Sequence, residues 1–261
     1  AQCTVAAMPV PIEKATAFGI IDARKNGKVK KFLEKPKSPP PMPGDATRSY
    51  CSMGNYIFNA DTLVEGLIQA ERNKEYDFGK HVIPNLLTKG RRLFAYDFST
   101  NRVPGVRRYE ESGYWRDVGT IEAFWNAHQD MLGEKPAFEI HNELWPIRPS
   151  INDLPATKII GGEITNSIIA EGSVIHKARV INSVIRKGVT IEDGVEVRDS
   201  IIMDSVVLKK GCMLNKTIVD SYNVIEKGVK IGHDSKEPYF RATMDPSGIS
   251  VVASEKQTGK L

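Results

Sequence analysis

A chain of 261 residues and 29.0 kDa has room for one large domain or two ordinary ones. With 41% hydrophobic residues it can fill a core, and with 36 Lys+Arg against 32 Asp+Glu it carries only +4, without the concentrated basic charge of a nucleic-acid binder. No apolar run approaches the ~20 residues of a membrane helix and no signal peptide opens the sequence, so no membrane partner is expected.

The first half alternates strand and helix signals, the mark of an α/β layer structure. Thr4 to Val10 reads as a strand, and Phe18 to Ala23 and Val29 to Glu34 as two more, joined by a turn at Asn26-Gly27 where positive φ is tolerated. The proline-rich stretch 37–44 reads as a surface loop, with a substrate-side lid as the other reading. Ser52 to Phe58 is a further strand. Asn59 or Asp61 can cap a helix through Ala70 whose Leu63, Val64, Leu67 and Ile68 share a face. Phe78 to Leu87 marks another helix and Leu93 to Phe98 another strand. Thr120 can cap a helix carrying Ile121, Phe124, Trp125, His128 and Leu132 at helical spacing, with His128 expected to pack rather than ligate. The five histidines show no i, i+4 pairing, which argues against structural zinc. Cys3, Cys51 and Cys212 form no C-x-x-C pair, which suits a reducing, cytoplasmic setting. Around Trp145-Pro146-Ile147-Arg148 the periodicity lapses, and a connector packed on its neighbours is expected there.

The second half is repetitive. Asn166, Asn182, Asp199 and Lys216 each open a small-residue–aliphatic segment, and their spacings are 16, 17 and 17 residues. Gly–x–x–aliphatic groups follow at Gly172, Gly188, Gly194, Gly211 and Gly228. Short aliphatic strands recurring about every six residues are the hexapeptide signature of a parallel β-helix, here expected to be left-handed and three-sided. Such a solenoid leaves ends and faces to be covered, so oligomerisation is expected. Ile249 to Ala253 reads as a last strand and Lys256 to Leu261 as a frayed tail.

Four clusters could carry chemistry. Phe32-Leu33-Glu34-Lys35-Pro36 ends a strand with an acid and a base side by side; alone it is equally a solvated strand end. Ser52-Met53-Gly54-Asn55-Tyr56 enters a strand with a glycine that allows close approach of a backbone or ligand. Asp77-Phe78-Gly79-Lys80 begins a helix with Asp77 placed as its cap. Tyr114-Trp115-Arg116-Asp117-Val118-Gly119-Thr120 sets an acid before a helix N-terminus, where it can hold a divalent cation beside phosphates or simply pair with Arg116.

In order and spacing these clusters, with the appended β-helix, resemble the sugar-phosphate nucleotidyltransferases, and among them the bacterial glucose-1-phosphate adenylyltransferase family of glycogen synthesis. The resemblance runs from about Cys3 to Phe240. It implies the C-terminal part of a Rossmann-like nucleotidyltransferase domain over 1–135, a connector over 136–157 and a left-handed β-helix over 158–261. It also implies that ATP and glucose 1-phosphate are substrates. Lys35 would contact the phosphate and Glu34 a sugar hydroxyl. Ser52, Tyr56, Asp77, Lys80 and Trp115 would line the sugar-phosphate pocket, and Asp117 would be one ligand of Mg²⁺. The family is usually a homotetramer with an allosteric site, to which Arg241 could contribute.

The family's Gly-rich nucleotide loop and its second metal-ligating Asp have no counterpart here. On resemblance roughly the first third of a complete enzyme is absent, and the chain alone is expected not to turn over. The alternatives are a related pyrophosphorylase for another nucleotide or sugar, a non-catalytic assembly subunit, and a hexapeptide acyltransferase using His176.

Overall fold

Cys3, Val5 and Ala7 alternate inward along β1 (Cys3–Pro11), and the rest of the first sheet is laid against them. The structure, a computed structural model, describes residues 1–148, 154–233 and 239–254. Two units divide it, Ala1–Arg102 and Val103–Leu261.

In the first unit β2 (Gly19–Ala23) and β3 (Val29–Glu34) form the expected hairpin, turned at Gly27 with φ +80°. β4 (Arg48–Phe58) is antiparallel to β1, and β5 (Leu93–Asp97) runs parallel to it, giving the order β3-β2-β4-β1-β5. β2 reaches β4 only at Tyr50 and Cys51; beyond them β4 pairs with β1 alone among the described residues, and Ile57 is 76% exposed.

Helix α1 (Ala60–Asn73) forms where expected but buries a different face. Thr62, Gly66 and Ala70 point inward, whereas Val64, Leu67 and Ile68 are exposed. Close approach decides this: a Cβ on Gly66 would stand 3.1 Å from Val82 Cγ1 and 3.6 Å from Leu86 Cδ1. The seam therefore selects the small stripe over the bulky one. The next segment is a π-helical turn, Phe78–Val82, that runs directly into α2 (Ile83–Thr88), with Pro84 in the first turn where its missing N–H costs nothing.

In the second unit α3 (Ile121–Gln129) is capped by Thr120, whose Oγ1 accepts from Ala123 N at 3.1 Å. Its apolar face, Ile121, Phe124 and Trp125, packs on Ile201, Ile218 and Ile249 of the solenoid, and Trp125 Nε1 donates to Asp199 O at 2.9 Å. Trp145 does not pack as expected: it is 61% exposed, beside exposed Leu144 and Ile147. Its turn is held by a side chain instead, since Asn142 Oδ1 accepts from both Leu144 N and Trp145 N.

The solenoid has three faces. One stacks β7 (Ile168–Ile169), β9 (Val184–Ile185), β12 (Ile201–Ile202), β15 (Thr217–Val219) and β19 (Ser250–Val252). The second stacks the front half of β8 (Val174–Ile181), then β10 (Thr190–Ile191), β13 (Val207–Leu208) and β16 (Val224–Ile225). The third stacks the back half of β8 with β11 (Glu196–Arg198), β14 (Met213–Asn215) and β17 (Lys230–Ile231). β6 (Lys158–Thr165) lies on β8, and the antiparallel β18 (Ala242–Met244) covers β19. Inside, Ile175, Ile191, Val197, Ile202, Leu208, Leu214, Val219 and Ile225 are fully buried.

Each corner needs a left-handed residue, and three columns supply them. Asn166, Asn182, Asp199 and Lys216 make the first, with φ from +45° to +49°. Gly172, Gly188, Ser205 and Tyr222 make the second; Lys177, Gly194, Gly211 and Gly228 make the third. The five Gly groups that look equivalent in sequence thus belong to two different corners. The tail 256–261 lies outside the described residues.

Candidate sugar-phosphate site

Four residues singled out from the sequence meet in the first unit. Glu34 ends β3, paired with Gly19 at the start of β2. Ser52 and Tyr56 stand on β4 with their hydroxyls 3.4 Å apart. Asp77 caps the π-helical turn, its Oδ1 accepting from Lys80 N at 2.8 Å. A methyl built on Gly79 would lie 3.2 Å from Glu34 Oε2 and 3.5 Å from Asp77 Oδ1, so both carboxylates look onto one point.

The β4 hydroxyls owe their places to a bulge. Val5 pairs with Tyr56 but Ala7 with Ser52, so β4 gains length where Gly54 takes φ +76°. Nothing among the described residues lies within 4 Å of a Cβ at Gly54. That glycine serves the backbone conformation here, and no protein backbone among the described residues closes on it.

Tyr56 stacks on Phe78 with centroids 5.7 Å apart. Burial pushes its hydroxyl pKa above the ordinary value; the Ser52 hydrogen bond opposes this, and the nearby Asp77 and Glu34 charges add to it. Tyr56 therefore keeps its proton near neutrality and can donate to a ligand oxygen.

Lys35 follows in a left-handed conformation, φ +46°, with its N–H donating to Phe18 O at 3.0 Å. The strand alternation that would send Glu34 and Lys35 to opposite faces stops at Glu34. A lysine in this region is uncommon and marks a backbone fixed by its surroundings. Lys80 sits on the same turn as Asp77.

Trp115 and Asp117 belong to the second unit, on the loop before α3. The Arg116–Asp117 pair suggested by adjacency is not formed. Arg116 instead forks onto Glu111 at 2.6 Å and reaches Asp130 at 2.8 Å, over the Tyr114 ring. The Asp117 carboxylate is exposed, and the bare Gly119 leaves it clear, since a Cβ there would come within 3.3 Å of Oδ1. One open carboxylate fits Mg²⁺, which takes few protein oxygens and completes its shell with phosphate and water. Among the described residues no group of three or more His, Cys, Asp or Glu could hold a metal unaided.

Arg241 lines a hollow of about 690 Å³ with Glu226, Tyr239, Phe240 and Ser254, and its Nη2 donates to Asn223 Oδ1 at 2.6 Å. His176 lines a shallower one with Glu192, Asp193 and Lys210. His128 packs as expected, against Phe124, whose carbonyl its Nδ1 meets at 2.9 Å. All three cysteines are buried and none forms a disulfide. Sequence reasoning passed over Gly19, and it quoted Phe32 and Phe78 only as members of their clusters, without the contacts to Glu34's surroundings and to Tyr56 that the fold gives them.

Residues 1–134 match the nucleotidyl transferase family, and 155–252 match the GlmU-like C-terminal hexapeptide family. Among curated proteins the chain is 50% identical over 252 residues to the glucose-1-phosphate adenylyltransferase of Thermodesulfovibrio yellowstonii, covering 97% of this chain and 61% of that protein. It is 38% identical over 256 residues to the Corynebacterium jeikeium protein of the same name, covering 97% and 63%. For the Photobacterium profundum namesake the figures are 36% over 266 residues, 99% and 65%. The chain thus spans less than two thirds of the length of the curated relatives it matches.

Proposed function

The chain belongs to the nucleotidyl transferase family, and on that premise we propose that it carries the sugar-phosphate-binding part and the solenoid of a glucose-1-phosphate adenylyltransferase. The observation that carries this reading is the convergence of Glu34, Ser52, Tyr56 and Asp77 at the end of β3, next to a Lys35 held in left-handed backbone. In the reaction a phosphate oxygen of glucose 1-phosphate bonds to the α-phosphorus of ATP, the bond to the β-phosphate oxygen breaks, and pyrophosphate leaves with ADP-glucose formed. The substrate is its own nucleophile, so the protein's task is positioning and charge neutralisation.

Lys35 supplies a charge-assisted contact to the sugar phosphate, with Lys80 framing it. Glu34 and Asp77 accept from sugar hydroxyls, and Ser52 and protonated Tyr56 donate to ligand oxygens. On the family resemblance, Trp115 would be a sugar-side residue contributed by the second unit. Asp117 would hold Mg²⁺, which when bound supplies charge stabilisation to the phosphates. The enzyme works as a cytoplasmic homotetramer, and Arg241 contributes to an anionic effector site on the solenoid unit.

Ligand-dependent melting of the 261-residue chain tests the reading. Glucose 1-phosphate at 100-fold its Kd should stabilise the first unit by about 2.7 kcal/mol, whereas mannose 1-phosphate and N-acetylglucosamine 1-phosphate should do little. Equal stabilisation by all three would remove the glucose assignment. No stabilisation by any would remove the site.

A further inference from the structure

The Glu34 carboxylate lies in a slot with two glycine walls and an aromatic floor. A Cβ built on Gly19 would meet Glu34 Oε2 at 3.1 Å and the Phe32 ring at 3.1 Å. A Cβ built on Gly79 would meet the same Oε2 at 3.2 Å and the same ring at 3.2 Å. The two glycines come from different elements, β2 and the π-helical turn, yet both close on one oxygen. Neither takes a positive φ, so neither is there for a backbone conformation that side chains resist. In both positions an alanine would fit the backbone but would require its neighbours to give by a few tenths of an ångström.

We propose that Gly19 and Gly79 are positioning residues for Glu34: their missing side chains leave the slot that aims its carboxylate at a ligand hydroxyl. The inference rests on the sugar-phosphate reading of the site. Contacts of 3.1–3.2 Å are tighter than most that a methyl makes, so a side chain at either wall pushes Oε2 by some tenths of an ångström. A hydrogen bond to a charged acceptor loses strength steeply with such a displacement. Phe32 is 7% exposed and cannot retreat far, which leaves the carboxylate as the group that yields.

A slot and an ordinary packing contact predict different things for G79A. If the glycine only packs, alanine should be neutral or stabilising through the unfolded chain, and ligand binding should be unchanged. If it aims Glu34, the melting temperature should hold while glucose 1-phosphate binding to the 261-residue chain weakens about tenfold. The decisive variant is the double substitution. E34D withdraws the carboxylate by one methylene and should itself weaken binding; G79A added to E34D should then cost less than twofold more, because the oxygen that the methyl would displace has gone. G19A and its double variant should behave in the same way.

Isothermal titration calorimetry with glucose 1-phosphate, alongside thermal melts, reads all of these. Tenfold weaker binding in G79A with preserved melting, and non-additivity with E34D, supports the slot. Wild-type binding that is unaffected by G79A, or fully additive losses, overturns the slot while leaving the sugar-phosphate site standing. No binding by the wild-type chain overturns both.

Discussion

Lys35 holds φ +46° at the point where chain direction and ligand chemistry coincide. A glycine there would relieve the left-handed strain and remove the ammonium together, so Lys35→Gly separates the two roles. Thermal stability should stay within ~1 kcal/mol or rise, while affinity for glucose 1-phosphate, measured by calorimetry, should fall about tenfold. His128 gives a pH signature of a different kind. Burial, and secondarily the Arg186 charge, lowers its pKa below the ordinary 6.5, against a backbone hydrogen bond to Phe124 that raises it. The folded unit thus favours neutral imidazole. That stability is present above about pH 6.5 and is lost as pH falls through the depressed folded value, where the unfolded chain binds the extra proton. Melting followed from pH 7 to pH 5 should fall more steeply for the native chain than for His128→Gln. The sequence made the ring's packing legible, since it lies on the apolar stripe of α3. It could not disclose the Glu34 slot, because the glycines that form it lie 60 residues apart.

The solenoid is held at one corner by a column of hydroxyls. Ser183, Ser200 and Thr217 are buried; each donates to the carbonyl two residues back, and each backbone N–H is accepted by the hydroxyl one coil earlier, at 3.1–3.2 Å. Ser200→Ala would leave Thr217 N–H without its acceptor and Arg198 C=O without that donor. The expected loss is about 1–3 kcal/mol in urea denaturation of the second unit. The same substitution at half-buried Ser221, whose hydroxyl lies outside the column, should be near neutral. This column was half visible beforehand: the repeat of small residue then aliphatic pair is plain in the sequence, but the direction of the hydroxyl bonds requires the stacking. Helix α1 teaches the converse. Its bulky residues form the more obvious stripe, yet Gly66 sets the seam, because backbone proximity to Val82 and Leu86 outweighs the area that Val64 and Ile68 could bury.

At the scale of the molecule the two kinds of periodicity were unequally readable. Strand–helix alternation in the first unit revealed the elements but not their order, because β1 lies between a later antiparallel strand and a later parallel one. The 16- and 17-residue repeat of the second revealed its architecture directly, since each coil contacts only its neighbours. The site was legible in the same graded way. The acids and hydroxyls stood out as polar residues at strand and helix ends, whereas Gly19 did not, and the part played by Phe32, Phe78 and Gly79 in their clusters waited on the fold. The tetramer proposal belongs to this scale too: light scattering of the purified chain should give four times 29.0 kDa, and a monomer would refute it.

The regular step between coils also makes the solenoid extensible. Val184 aligns with Ile201 and Ile201 with Ile218, 17 residues on each time. A tandem copy of residues 184–200 would return the chain to its starting corner, one strand spacing of about 4.8 Å further along. Every downstream side chain would keep its inward or outward sense, and the closing strand β18 would travel unchanged to the new end. A splice one residue shorter or longer would have to be absorbed at a corner, the only place where this winding tolerates a change of count.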